Sequence, residues 1–201
     1  MSINMKSTRP YVMTARAEAV AQTRERILRA ARGRTDRLPL SAVSLADIAK
    51  DAGVSVQTLL RQFGSRDALI DAGVEFALEE IADDIRVPEA DLPGAIAVIV
   101  KHHETRGATA ILLLGQEASD PQAARITDKG RVMHRTWVEN VFTPQLGDLT
   151  GSEREEMIDM LVIATDVYTW KILRHDRGLS RKVVERRMLR LVESVLKEWA
   201  S

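Results

Sequence analysis

The stretch SLADIAKDAGVSVQTLLRQFGSRDALI, residues 44–70, constrains the fold more than any other, because it strings serine helix starts and glycine helix stops at short intervals. Ser44 stands three residues before Asp47, so its hydroxyl can cap the Asp47 backbone N–H while the carboxylate returns the interaction. Leu45, Ile48, Ala49 and Ala52 then recur at spacings of three and four, which gives the helix one buried face. Gly53 ends it cheaply in the left-handed region, and Val54 supplies an apolar anchor for the turn. Ser55, with Thr58 three along, starts a second helix whose Val56, Leu59, Leu60 and Phe63 offer apolar surface. Gly64 and Ser65 break the chain again, and Ser65 caps a third helix that begins at Arg66.

The second helix also carries Gln57, Thr58, Arg61 and Gln62, short or planar polar groups on a helix that comes after a tight turn. That is the geometry with which a helix-turn-helix reads base edges. Thr58 suits a phosphate or a thymine methyl, Gln57 and Gln62 suit base edges, and Arg61 suits guanine or phosphate. The backbone N–H groups and the Arg66 side chain at the third helix start suit a phosphate. With the capping serines, the expected DNA-contacting set is Ser44, Ser55, Gln57, Thr58, Arg61, Gln62 and Arg66. The alternative for each piece is ordinary helical packing, since two helices around a glycine occur in many helical proteins.

The formal net charge of zero conceals two differently charged halves. Residues 1–70 hold 12 Lys plus Arg against 6 Asp plus Glu, and residues 71–201 hold 17 against 23. Arg24, Arg26, Arg29, Arg32, Arg34 and Arg37 flank the expected reading unit, as a phosphate-binding surface requires. Any one of them also fits a solvated helix face; their concentration is the signal.

The whole chain reads as all-α. Ala17 to Arg34 forms the first helix, with Val20, Ile27, Leu28 and Ala31 as its inner face. The helix from Arg66 runs to about Arg86 and bridges the basic part to the rest; Pro88 and Pro93 punctuate the chain beyond it. Further helices are expected over 92–104, 108–118 and 121–142, then from Thr150 or Ser152 to Gly178, and from Ser180 to Trp199. The expected division is a flexible N-terminal arm over 1–15, a helix-turn-helix domain over 16–66 and a helical domain over 67–201. Polar, mixed residues at the start lack the apolar core of a signal peptide, and the runs AIAVIV and AILLLG are far too short to span a membrane. A soluble, cytoplasmic protein without a membrane partner is expected. The absence of cysteine excludes a disulfide framework or thiolate zinc site.

In the second domain, apolar stripes on the last two long helices suggest a four-helix interface with a second copy, through Leu161, Ala164, Val184, Met188, Leu191 and Val195. Phe76, His102, Arg106, Met133, Trp137, Tyr168 and Trp170 are candidates to line a pocket for a hydrophobic or amphipathic small molecule; core packing is the competing role for each large apolar residue. Adjacent His102 and His103 point different ways on a helix, and no metal or cofactor is expected. The four histidines lack HExxH spacing, and no GxGxxG, P-loop or GxSxG run occurs, so a catalytic role is not expected.

Residues 48–70, IAKDAGVSVQTLLRQFGSRDALI, resemble the DNA-binding signature of the TetR-family transcriptional repressors, and the layout of one short N-terminal domain before a larger helical domain is similar across the chain. TWKILRHDRGLS, residues 169–180, resembles the hinge between the last two helices of many members. The resemblance implies a homodimer on double-stranded DNA, at a palindromic operator, that usually represses and often lets go when a small molecule enters the C-terminal domain. Thr58 matches a helix-start position used in DNA contact, and Gln57 and Arg61 match positions where members vary their base readout. Leu60 stands where the family usually has a DNA-facing tyrosine, Gln62 where histidine is common, Gly64 where proline is frequent, and Arg66 where a phosphate-binding lysine is frequent. A ligand-dependent activator and a helical adaptor whose basic domain binds protein are the alternatives.

Overall fold

The serine caps and glycine stops form as their chemistry dictates, and they set two short helices and the start of a third, longer one. The computed structural model describes residues 9–87 and 91–199. The chain divides into two compact units, residues 1–76 and 77–201. In the first, α1 (Arg9–Thr35) leads through a 3-10 turn (Leu40–Ala42) to α2 (Leu45–Ala52) and α3 (Val56–Phe63). The division between the units falls inside α4 (Arg66–Asp84). The second unit continues with α5 (Leu92–Leu114), α6 (Pro121–Val141), α7 (Thr143–Leu146), α8 (Gly151–Thr165), α9 (Val167–Lys171), a π-helical turn (Ile172–Asp176) and α10 (Arg181–Trp199). No strand occurs among the described residues.

The core of the first unit is made by Ile27, Leu28 and Ala31 of α1, Leu40 and Val43 of the connection, Ile48, Ala49 and Ala52 of α2, Leu59 of α3, and Leu69 and Ile70 of α4. Complete burial of a side chain such as Ile48 or Leu59 contributes about 1.5–3 kcal/mol. Val20, expected on the inner face of α1, is 56% exposed. The first helix reaches back past the expected Ala17 to Arg9, the first of the described residues; residues 1–8 of the expected arm lie outside them.

In the second unit, α5, α6, α8 and α10 surround Ile96, Ile99, Val138, Phe142, Ile158, Leu161, Val184, Met188 and Val192. Two expectations are corrected here. The segments 92–104 and 108–118 are one helix, α5, which passes unbroken through Gly107. A Cβ at Gly107 would stand 2.3 Å from the Trp170 ring, so this glycine makes room for a neighbouring side chain rather than ending a helix. The expected single helix to Gly178 is instead broken at Asp166, whose extended backbone and side chain, accepting from the Tyr168 N–H, start α9 afresh. Pro88 lies outside the described residues.

Candidate nucleic-acid interface

The α2–turn–α3 unit is held by short-range hydrogen bonds that leave one face of α3 open. The Asp47 N–H donates to Ser44 Oγ at 3.1 Å, and the Ser44 hydroxyl donates to Asp47 Oδ2 at 2.7 Å. Gly53 adopts φ 64° and ψ 39°, and the Val54 N–H closes the turn on Ala49 O at 3.0 Å. The Thr58 N–H donates to Ser55 Oγ at 3.1 Å, and the two hydroxyls share a hydrogen bond of 2.9 Å. Ser44, Ser55 and Thr58 are thus engaged in setting the helix starts, each cap contributing about 1 kcal/mol.

Side chains on α3 sort by angle. Leu59 is wholly buried, and Thr58, Gln62 and Phe63 are half-buried beside it. At about 100° per residue, Val56, Leu60, Gln57 and Arg61 fall in that order around the opposite arc, and all four are exposed. Gln57 and Arg61 are therefore on the exposed face of α3. Gln62 is not: its Oε1 is buried without a hydrogen-bond partner, turned away from the open face. Val56 and Leu60, expected as packing surface, are 37% and 42% exposed. The Arg24 guanidinium of α1 lies 4.8 Å from the Phe63 ring centroid and packs the foot of α3 from the side.

Two arginines fix the unit to its surroundings. Arg34 of α1 grips Asp51 of α2 bidentately, Nε to Oδ2 at 2.6 Å and Nη2 to Oδ1 at 2.9 Å. This hydrogen bond, with the opposite charge, holds the Asp51 carboxyl below its usual range and raises Arg34. Arg66, expected to donate to phosphate, is turned to the protein. Its Nε donates to Val43 O at 2.7 Å, Nη2 to Leu40 O, and Nη1 to Asp67 Oδ1 at 2.6 Å. The start of α4 is thereby tied to the turn that precedes α2. Sequence reasoning missed both ties, because neither partner pair is close in sequence or marked by a motif.

The second unit places the expected pocket residues unequally. Trp137 and Trp170 are core: Trp137 Nε1 donates to Ile85 O at 2.9 Å, and Trp170 Nε1 donates to Glu104 Oε1 at 2.9 Å. Tyr168 is 50% exposed. His102, Arg106 and Met133 are half-buried, and Phe76, also half-buried, belongs to the first unit. Unforeseen was a polar knot at the α8–α9 break. His103 Nε2 donates to Thr165 O at 2.9 Å, the Thr165 hydroxyl donates to Leu161 O at 2.8 Å, and His134 Nε2 donates to Thr165 Oγ1 at 3.0 Å. Burial pushes the imidazoles of His102 and His103 down to about 4 and lowers His134 as well. Only the fold brings these groups together, so no sequence spacing signals them. No group of three or more metal-ligating side chains occurs among the described residues.

The expected dimer residues require correction. Leu161, Ala164, Val184, Met188 and Val195 are buried within the protomer's own core, and of the six only Leu191 is exposed, at 45%. An apolar stripe at helical spacing shows which face of a helix is buried, not whether its own chain or a partner buries it. The large apolar side chains left outside on α8 are Met160 and Ile163, 41% and 61% exposed.

Residues 27–72 match the family model for bacterial regulatory proteins of the tetR family. No curated protein matches the chain in sequence. Among solved structures, a tetR-family transcriptional regulator from Streptomyces coelicolor is similar over 90% of this chain and 82% of its own, with TM-score 0.72 at 16% identity. Salmonella enterica GusR is similar over 88% of this chain and 96% of its own, with TM-score 0.66 at 19% identity. The flavonoid-responsive regulator FrrA covers 89% of this chain and 97% of its own, with TM-score 0.63 at 20% identity. At such identities the likeness is one of fold: an N-terminal helix-turn-helix domain joined to a larger helical domain.

Proposed function

We propose that this chain, whose residues 27–72 match the family model for bacterial regulatory proteins of the tetR family, is a homodimeric repressor that binds a palindromic operator and is released by a small hydrophobic or amphipathic molecule. The observation that carries the reading is the open face of α3: Gln57 and Arg61 project from a helix whose opposite side is packed and whose start is capped. Glutamine matches adenine N6 and N7, and arginine matches guanine O6 and N7 or a phosphate. Excess positive charge on the first 70 residues supplies the phosphate-binding background.

Dimerisation falls to the outer faces of α8 and α10. Met160 and Ile163 are exposed on α8 near Glu153 and Glu156, with Glu155 and Asp159 paired to Arg135 of the same protomer, and Leu191 is exposed on α10 beside Arg186, Arg187 and Arg190. A two-fold axis that lays α8 of one copy against α10 of the other covers the apolar side chains and sets acid against base. Use of both half-sites requires the two reading helices to meet successive major grooves on one face of the duplex, about 34 Å apart. Effector release requires a molecule that binds the DNA-free form better; a coupling of about 3 kcal/mol lowers operator affinity more than a hundredfold. FrrA, by its name responsive to flavonoids, offers a relevant class of apolar ligand to try.

Selection from random double-stranded DNA at a stated salt concentration tests the reading. Enrichment of an inverted repeat, bound by two copies, is expected. Failure to enrich any sequence across low and moderate salt would refute it and leave the protein-binding adaptor.

A further inference from the structure

The outward arc of α3 is half apolar, and the polar pair Gln57 and Arg61 does not account for that half. Val56 and Leu60 lie side by side on it, one helical turn apart, 37% and 42% exposed, while Ile48 of α2, Leu59 of α3 and Leu69 and Ile70 of α4 are packed away. Leu59, one residue from Leu60, is wholly buried, so the exposure of Leu60 comes from its angle and not from a lack of core to enter. Val56 is the first of the eight residues of α3 and Leu60 the fifth, so the pair runs one turn along the helix from the end that enters a groove when such a helix reads DNA. The major groove offers one apolar group to such side chains, the C5 methyl of thymine.

We propose that Val56 and Leu60 are specificity-determining residues that recognise thymine methyl groups in the operator, beside base edges contacted by Gln57 and Arg61. The inference rests on the reading of α3 as the DNA-contacting helix and adds the base it selects. The order of side chains around the arc, Val56, Leu60, Gln57, Arg61, puts the apolar pair next to the glutamine. An A·T pair presents that combination in the major groove: adenine N6 and N7 for the amide, and the thymine methyl for the aliphatic chain. Leucine carries no hydrogen-bonding group, so the thymine methyl is the base-edge partner it can engage in the major groove.

Replacing thymine by deoxyuridine removes the methyl and changes nothing else on the major-groove edge. The test uses the full chain and the duplex enriched by selection, with deoxyuridine placed at one symmetric pair of thymine positions at a time, and reads binding by fluorescence anisotropy. Burial of one methyl corresponds to about fourfold in affinity, so a symmetric pair in a dimer is expected to cost about fifteenfold. That penalty is expected at one or two positions per half-site, and it is expected to vanish in V56S and L60S, whose exposed positions leave the core untouched. The proposal is overturned if no substituted duplex loses more than about twofold, well short of one methyl burial, if the enriched site holds no thymine, or if the penalty persists undiminished in both variants. Enrichment of no sequence by the unaltered protein would overturn the DNA-reading role of α3 itself, whereas enrichment without a deoxyuridine penalty overturns the methyl readout alone.

Discussion

Arg66 gives the sharpest separation between a residue that touches DNA and one that holds the reading unit in place. Its three guanidinium donors go to Val43 O, Leu40 O and Asp67 Oδ1, so the fork joins the start of α4 to the turn ahead of α2. Lysine keeps the charge but is a point donor that cannot span two carbonyls, and methionine keeps the length without charge or donor. A hydrogen bond from a charged donor contributes about 1.5–3 kcal/mol when shielded. With the Arg66 side chain 30% exposed, water recovers part of each bond, and a net loss of about 1–2 kcal/mol is expected for both R66K and R66M. Hydrogen exchange at the Val43–Asp47 amides reads this as about tenfold faster opening in both variants. DNA affinity measured against salt supplies the second arm: each lost phosphate contact lowers the slope of log K against log salt by about 0.9. Slopes unchanged in both variants are expected. Normal exchange and affinity in R66K, together with a slope lowered by about one contact in R66M, would refute the reasoning and return Arg66 to the phosphate backbone.

The second unit supplies three further expected outcomes. G107A drives a methyl into the Trp170 ring, and overpacking of this kind is expected to cost about 1–3 kcal/mol, visible as a lower thermal midpoint and altered tryptophan fluorescence. Burial holds His103 near 4 in the folded chain against about 6.5 unfolded, so below the unfolded value the unfolded chain binds more protons. Stability is therefore full above about pH 6.5 and falls as pH drops toward 4, by up to about 3 kcal/mol from this residue; H103Q should flatten that limb in denaturant titrations at several pH values. I163E with L191E, both at exposed positions, should yield a folded monomer in sedimentation, whereas L161A, in the core, should lose about 2–5 kcal/mol of stability.

What the sequence made legible was local chemistry. Ser44, Gly53 and Ser55 act on residues three or four away, so cap, stop and cap again were visible in the letters, and α2 and α3 begin and end where those residues place them. Gln57 and Arg61 were likewise legible, since each stands two residues from buried Leu59 and so about 200° round the helix from it. Helix continuity was not. Gly107 reads as a breaker until Trp170, 63 residues later, is seen to need the space. Asp166 reads as surface until its side chain is seen to cap α9. The dimer residues failed for a related reason: Val184 and Met188 share a stripe with exposed Leu191, and periodicity alone does not say where the protomer's own core stops. Arg66 and the Arg34–Asp51 grip depend on distances that only the fold supplies.

The central claim is that the open face of α3 lies in the DNA groove, and site-specific photo-crosslinking tests it most directly. A benzophenone side chain placed in turn at Gln57, at Arg61 and, as a control, at exposed Val132 of α6 is irradiated on the selected duplex. Crosslinks from positions 57 and 61 to bases within the inverted repeat, and none from position 132, are expected. Retained binding with no crosslink from either α3 position would contradict the account.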